Sequence, residues 1–244
     1  MIESAEQTKS YIGGHTTAGI ASYVVSKGLL LVPVQNIKTR MQFGIPSYMV
    51  DSKYWWTGLG TELGLQFLGF GVKVGLNSLL NKADIHSAPS ALLDAVSNVV
   101  VFPLAKQRVT QVFEESHVHT TPDNSWSNWL ASVGGYVLHG LLEDYLQSVI
   151  YDKLVGSNLL PIDVDSSVHS ERLVQGISLG CAKVILSPLE LIYKNQMVYG
   201  GRPKVSVNNV QALYRGAQFG MLEGISLIYI KYTVFKSLTD ILVK

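Results

Sequence analysis

The sequence predicts an all-α membrane protein with six transmembrane helices, arranged as three repeats of a helix pair. Of its 244 residues, 47% are hydrophobic and only 15% are charged, compared with the roughly 25% charged residues of soluble domains. Six stretches are apolar and glycine-rich enough to span a bilayer. A proline followed by a polar, largely basic turn recurs late in the first, third and fifth stretches.

The six predicted spans are residues 11–42, 58–81, 90–114, 126–155, 171–198 and 210–242. At 1.5 Å per residue, each is long enough to cross about 30 Å of hydrocarbon. The connections are polar and too short for a soluble domain, so residues 1–244 form one transmembrane domain. Its repeats cover roughly residues 11–82, 88–156 and 170–242.

Charged residues interrupt the predicted spans. At membrane depth such side chains normally face a bundle interior or water. The alternative is that several lie at the membrane interface, with their aliphatic stems in the apolar layer. The candidates for a central cavity are Lys27, Glu143, Lys183 and Glu223.

Small residues recur at a spacing of four within the spans, which allows helix backbones to approach closely in lipid. These pairs and series are Gly14 with Ala18, Gly71 with Gly75, Gly176 with Gly180, and Gly216 with Gly220 and Gly224.

Several function classes are disfavoured by the sequence. The net charge of +1 provides no basic field for nucleic acid. The loop histidines His86, His117, His119 and His169 lack neighbouring ligands at metal-binding spacing, so no metal site is predicted. Phosphate-binding loops and nucleophile elbows are lacking too, so no enzyme activity is predicted. The one cysteine, Cys181, is interpreted as a buried structural thiol.

The repeated proline motif is the most specific signal. It reads Pro33-Val-Gln-Asn-Ile-Lys in the first repeat, Pro103-Leu-Ala-Lys-Gln-Arg in the second and Pro188-Leu-Glu-Leu-Ile-Tyr in the third. Proline removes one backbone hydrogen bond, so we expect each of these helices to kink.

These motifs are similar to the Pro-x-Asp/Glu-x-x-Lys/Arg pattern of the mitochondrial carrier family, which the chain resembles over nearly its whole length. A second family motif, an aromatic and a basic residue followed by glycine before each even helix, is found as Tyr214-Arg215-Gly216. It is altered in Trp56-Thr57-Gly58, and no copy precedes the fourth helix. The resemblance implies six tilted helices around a pseudo-threefold axis in the mitochondrial inner membrane.

In that family, acidic and basic motif residues form ion pairs between repeats and close the matrix side. Lys38 and Glu190 retain one charged pair here, and Gln35 is expected to hydrogen-bond Arg108. Lys194 is expected to point about 100° away from the basic position beside it. The acidic positions of the three repeats are Gln35, Ala105 and Glu190, and the basic positions are Lys38, Arg108 and Tyr193.

The family's gate at the opposite end is also incomplete. Tyr151-Asp152 lacks its basic partner, and Lys236 and Thr239 stand where an acid and a base belong. Glu223 occupies a position where substrate-binding arginines often stand. Its alternative interpretation is an ion pair with Lys183 or Lys27 across the bundle.

The resemblance also implies bound cardiolipin, the one non-protein ligand expected, at the starts of the even helices. The candidate residues are Trp56, Gly58, Tyr214, Arg215 and Gly216. Helix N-termini suit anionic phosphates, although these glycines are equally well explained as turn residues.

Together, these features predict a carrier-like protein whose transport machinery has degenerated. It is expected to be an accessory subunit of an inner-membrane complex, with respiratory supercomplexes and ATP synthase as candidate hosts. The alternative is a working transporter of a cationic or zwitterionic metabolite, recognised by Glu223, Glu143 or Asp144.

Overall fold

The computed structural model describes eight parts of the chain, and all secondary structure in them is helical. The all-α prediction is therefore confirmed for these parts. Residues 11–17 of the first predicted span, and the loops with His86, His117 and His119, lie outside them. The described residues are 18–19, 21–22, 24–45, 52–82, 90–114, 125–157, 168–200 and 210–242.

In the first repeat, helical residues 18–19 and 21–22 precede a π-helical segment, Val24–Leu30, which is followed by helix α1, Val32–Gln42. A 3₁₀ turn, Ser52–Trp56, leads into the long helix α2, Leu59–Lys82. In this repeat the predicted first span is two helical segments separated at Leu31.

The second repeat consists of two uninterrupted helices, α3 (Ser90–Glu114) and α4 (Trp126–Gly156). The Ser125 hydroxyl caps α4 by accepting a hydrogen bond from the backbone N–H of Asn128 at 3.4 Å.

The third repeat resembles the first. Helix α5, Val168–Ile185, is followed by α6, Ser187–Tyr199, at an angle of 57°. A single turn, α7 (Val210–Leu213), then precedes α8 (Ala217–Leu242).

The three motif prolines do not act alike, which corrects the prediction of three similar kinks. Pro33 and Pro188 lie in the first turns of α1 and α6, directly after breaks at Leu31 and Leu186. Pro103 lies inside α3, which continues past it without a break. The Pro103 ring is exposed. Losing one hydrogen bond does not end a long helix that packs along its length against neighbours.

The helices pack in a closed ring that follows chain order. The first span lies beside α2, then α3, α4, the bent α5–α6 unit and α8, which returns to the first span. In addition, α3 packs against both α1 and α6. The proline-containing helices therefore converge at one end of the ring.

Glycines allow the closest approach in the ring, between α5 and α8. A Cβ atom added to Gly224 would lie 2.6 Å from Gly180 Cα, and one on Gly176 would lie 3.0 Å from Ile225 Cα. The predicted small-residue contact is therefore present for this pair. A Cβ on Gly71 or Gly75 would meet no atom within 4 Å among the described residues, so the predicted contact there is not made.

Length and apolarity alone identify fewer spans than the six predicted. Within the described residues, the segment Tyr54–Leu80 is long and apolar enough to cross a membrane, and the bent pair α5–α6 gives a second if it is one span. The helices nevertheless expose many large apolar side chains. These include Phe67, Leu68, Val74, Leu79, Leu92, Val96, Val99, Val100, Leu130, Leu138 and Leu222.

Candidate functional site

A cavity of about 220 Å³ lies where the helices of all three repeats meet. Every acidic and basic motif position faces it, although these residues come from three distant parts of the chain. They are Gln35, Lys38, Ala105, Arg108, Glu190 and Tyr193. The four candidate cavity residues, Lys27, Glu143, Lys183 and Glu223, line the same space.

The Glu190 carboxylate bridges the first and third repeats. One oxygen lies 2.7 Å from Lys38 Nζ and the other 2.7 Å from Lys194 Nζ. Lys194 also donates to Thr39 Oγ1 at 3.0 Å and to Gln42 Oε1 at 3.1 Å. The expectation that Lys194 points away was wrong, because residues four apart on α6 share a face and Lys194 follows Glu190 by four.

The Glu223 carboxylate on α8 continues this network. It lies 3.3 Å from Lys183 Nζ and 3.6 Å from Lys38 Nζ, and accepts a hydrogen bond from Gln35 Nε2 at 3.1 Å. The ion pair with Lys183, one of the two interpretations of Glu223, is therefore present. Gln35, expected to bond Arg108, donates to Glu223 instead.

Glu143 on α4 extends the network to the second repeat. Its carboxylate lies 3.2 Å from Lys183 Nζ and 4.0 Å from Nδ1 of His139, one turn earlier. Three lysines and three glutamates therefore alternate in one continuous chain, which we call the charged chain. Its members in order are Lys194, Glu190, Lys38, Glu223, Lys183 and Glu143.

The charged chain has no net charge, because its lysines and glutamates are equal in number. Its side chains are between 3% and 20% exposed. It connects α1, α4, α5, α6 and α8, so separating the repeats would break ion pairs inside a water-poor interior.

A second polar group connects the first and second repeats. Arg108 donates to Asn36 Oδ1 at 2.5 Å and lies 3.6 Å from Glu62, which accepts a hydrogen bond from Gln66 at 2.5 Å. Asn36 in turn donates to the Thr57 carbonyl at 3.1 Å. Arg108 therefore contacts Asn36 on α1 and Glu62 on α2, neither of which is a motif position.

The remaining motif positions, Ala105 and Tyr193, are buried at the wall of the cavity. Tyr193 packs in a cluster with Phe102, and its ring contacts Tyr136 and His139 at centroid distances of 5.8 and 5.4 Å. This part of the site holds helices together by packing.

The opposite end of the ring has different chemistry. Asp152 and Lys236 are exposed and take part in no ion pair among the described residues. Thr239 Oγ1 is buried without a hydrogen-bond partner in that part of the chain. Toward this end, Lys73 pairs with Asp94 in a partly exposed position.

The lipid-binding candidates lie at the starts of two even helices. Gly58 and Gly216 have φ angles of +69° and +77°, a conformation that favours glycine. The side chains of Trp56, Tyr214 and Arg215 beside them are exposed. The corresponding start of α4 has the Ser125 cap and an exposed Trp126, which is 70% accessible and stacks on Trp129.

Sequence reasoning missed several polar members of the site. Lys194, Gln42 and Asn36 all had a usable signal, since they lie within one or two turns of motif residues on the same helices. His139 also lines the cavity, one turn before the candidate Glu143. Among the described residues, no group of three or more ligands suited to a metal ion is found.

Compared with models of known protein families and with characterised proteins, the sequence matches none of them.

Proposed function

We propose that the chain is a carrier-like protein of six transmembrane helices that has lost transport and serves as a structural accessory subunit of a complex in the mitochondrial inner membrane. Respiratory supercomplexes and ATP synthase are the candidate hosts. The observation that carries the proposal is the charged chain, which connects helices of all three repeats at one end of the cavity.

The carrier-type fold is supported by the convergence of the motif. Positions two and five residues after each of three prolines face one cavity. Residues far apart in sequence meet in this way when three similar helix pairs surround a common axis. The first and third helix pairs share two further features. Each has a break just before its motif proline, at Leu31 or Leu186, and a positive-φ glycine before its even helix, Gly58 or Gly216.

A membrane location is supported by the distribution of side chains. Large apolar residues are exposed along the helices, whereas Glu143, Lys183 and Glu223 face the interior, as charges in membrane helices do. These interior charges lower the mean hydropathy of α4 and α8, which is one reason why apolarity alone does not identify these two helices as spans. Aromatic side chains at the starts of the three even helices suit a membrane–water interface: Trp55, Trp56, Trp126 and Tyr214.

Loss of transport is supported by an imbalance between the two ends of the ring. Alternating access requires two states within a few kcal/mol of each other. Opening this end would separate several ion pairs of the charged chain at once, in a region of low exposure where their attraction is strong. At the opposite end, the gate positions Asp152 and Lys236 are exposed and make no ion pair within the described part of the chain, so these positions do not stabilise a second closed state.

Native gel migration with mass spectrometry tests the proposal. The tagged chain is extracted from mitochondria in mild detergent, and its band is analysed for stoichiometric partners. We expect a band of many hundreds of kilodaltons that contains respiratory or ATP synthase subunits in fixed ratio. Migration alone, near the chain's own 26.7 kDa plus detergent, would overturn the structural role.

A working transporter of a cationic or zwitterionic metabolite is the second candidate. The observation in its favour is that the Glu143 and Glu223 carboxylates line the cavity. Both already lie within 3.3 Å of Lys183 Nζ, so a cationic substrate would have to displace that ammonium. Uptake of labelled cationic metabolites by liposomes containing the chain, lost in Glu223→Gln, would favour this candidate.

A further inference from the structure

One aromatic ring from each repeat meets the other two where the proline-containing helices end. Phe43 and Phe113 each follow their motif proline by ten residues, and Tyr199 follows its proline by eleven. The ring centroids of Phe43 and Phe113 are 4.3 Å apart, and each lies 6.3 Å from that of Tyr199. The three rings therefore form one cluster with a contribution from every repeat.

This cluster is well packed. Phe113 is fully buried, and its ring meets Phe43 edge to face, a favourable geometry for aromatic pairs. Phe43 and Tyr199 are half-buried, and Val112 and Val198, next to Phe113 and Tyr199 in the chain, are almost completely buried. The three rings thus form an aromatic layer at the ends of these helices.

The layer lies beyond the charged residues of the cavity. Phe43 follows Lys38, and Phe113 follows Arg108, by five residues, or about 7 Å along a helix. Water or an ion that passed the charged chain at this end would next meet the three rings. An apolar constriction stops ions because water leaves it.

We propose that Phe43, Phe113 and Tyr199 form an aromatic seal that closes this end of the cavity to ions. This inference rests on the proposed membrane-spanning fold. The seal closes the cavity at one end and leaves the other end open. A protein without transport can then remain in an energised membrane without passing ions.

The test is ion conductance of the full chain in planar bilayers of phosphatidylcholine and cardiolipin, bathed in KCl. Phe113→Ala and Phe102→Ala form a matched pair, since both remove a fully buried ring from α3. We expect Phe102→Ala to conduct no more than the wild type and Phe113→Ala to conduct more. The triple variant with Phe43→Ala, Phe113→Ala and Tyr199→Ala should increase conductance at least tenfold.

A cross-linking measurement covers the possibility that the triple variant does not fold. In a Cys181→Ser background, Phe43→Cys with Tyr199→Cys should join through a short bismaleimide. Phe43→Cys with Val149→Cys, a position on α4 toward the other end of the ring, is the control that should not join. Failure of the first pair to join would overturn the seal.

Liposome flotation separates failure of the seal from failure of the proposed fold. If the wild-type chain does not float with the vesicles, the membrane-spanning fold is wrong and the seal falls with it. If the wild type and the triple variant both float and conduct equally, the seal alone is wrong. Equal conductance of Phe113→Ala and Phe102→Ala would also contradict it.

Discussion

The Lys38 ammonium and the Glu190 carboxylate lie 2.7 Å apart, where the first and third repeats meet. Glu190 also pairs with Lys194, while Lys38 also faces Glu223 at 3.6 Å. Each member of the central pair therefore contacts two opposite charges. Removing Glu190 leaves different ion pairs intact from removing Lys38, so the two variants should differ in stability.

Glu190→Gln should destabilise the protein more than Lys38→Met. Without Glu190, the buried Lys194 ammonium has no carboxylate partner among the described residues and keeps the neutral Thr39 and Gln42 oxygens, at a cost of roughly 3–5 kcal/mol. Without Lys38, Glu190 keeps Lys194 and Glu223 keeps Lys183, so we expect a loss of about 1–3 kcal/mol. Thermal unfolding midpoints in detergent give the comparison.

The control for this pair is Lys73→Met. Lys73 pairs with Asp94 but is 47% exposed, and exposed ion pairs contribute about 0–1 kcal/mol. Its midpoint should remain near that of the wild type. Equal losses for Lys38→Met and Glu190→Gln would contradict the arrangement of the charged chain.

Gly224→Ala should separate α5 from α8. The added methyl would lie 2.6 Å from Gly180 Cα, and backbone atoms cannot move aside as a side chain can. Overpacking of this kind costs about 1–3 kcal/mol. Gly75→Ala is the matched control, because its methyl meets nothing within 4 Å among the described residues. A lower melting temperature for both variants would exclude the glycine contact as the cause.

Glu62 and Arg108 should show energetic coupling. Their side chains lie 3.6 Å apart with little exposure, so either Glu62→Gln or Arg108→Gln leaves a buried charge without this partner. The double variant should lose less stability than the sum of the single variants, by about 0.5–3 kcal/mol. Additive losses in this double-mutant cycle would show that the second polar group does not act as one unit.

Arg215→Gln should reduce cardiolipin retention. Arg215 is exposed next to the positive-φ Gly216 at the start of α8, where backbone N–H groups and a cation suit a phosphate. Native mass spectrometry after mild delipidation counts the bound lipid. Arg172→Gln, near the start of α5 at the other end of the bundle, is the control and should retain wild-type lipid. Equal retention by both variants would remove Arg215 from the lipid site.

The motif allowed the cavity to be predicted because helical spacing fixes which residues share a face. Lys38 and Glu190 each stand at a set distance from a proline, and both face the cavity. The partner of Arg108 was not predictable in this way. Whether Gln35 or Asn36 faces it depends on the rotation of α1 after the break at Leu31, which no local pattern encodes.

Other features had signals that a search limited to the family motif overlooks. Glu190 and Lys194 have the spacing of a helical ion pair. The three rings of the aromatic seal become visible when the repeats are aligned on their prolines, since Phe43, Phe113 and Tyr199 then fall almost in register. The bend between α5 and α6 was predicted from Pro188, but the continuity of α3 through Pro103 was not predictable, because proline tolerance depends on packing along the helix.

We expect the charged chain to hold the helix ring in one closed state. Pulsed electron resonance tests it with spin labels at Asp152→Cys and Lys236→Cys, two exposed positions on α4 and α8, in a Cys181→Ser background. We expect a single narrow distance distribution in liposomes, which broadens in Glu190→Gln. Two distance populations in the parent protein would show alternating states and exclude a single closed state.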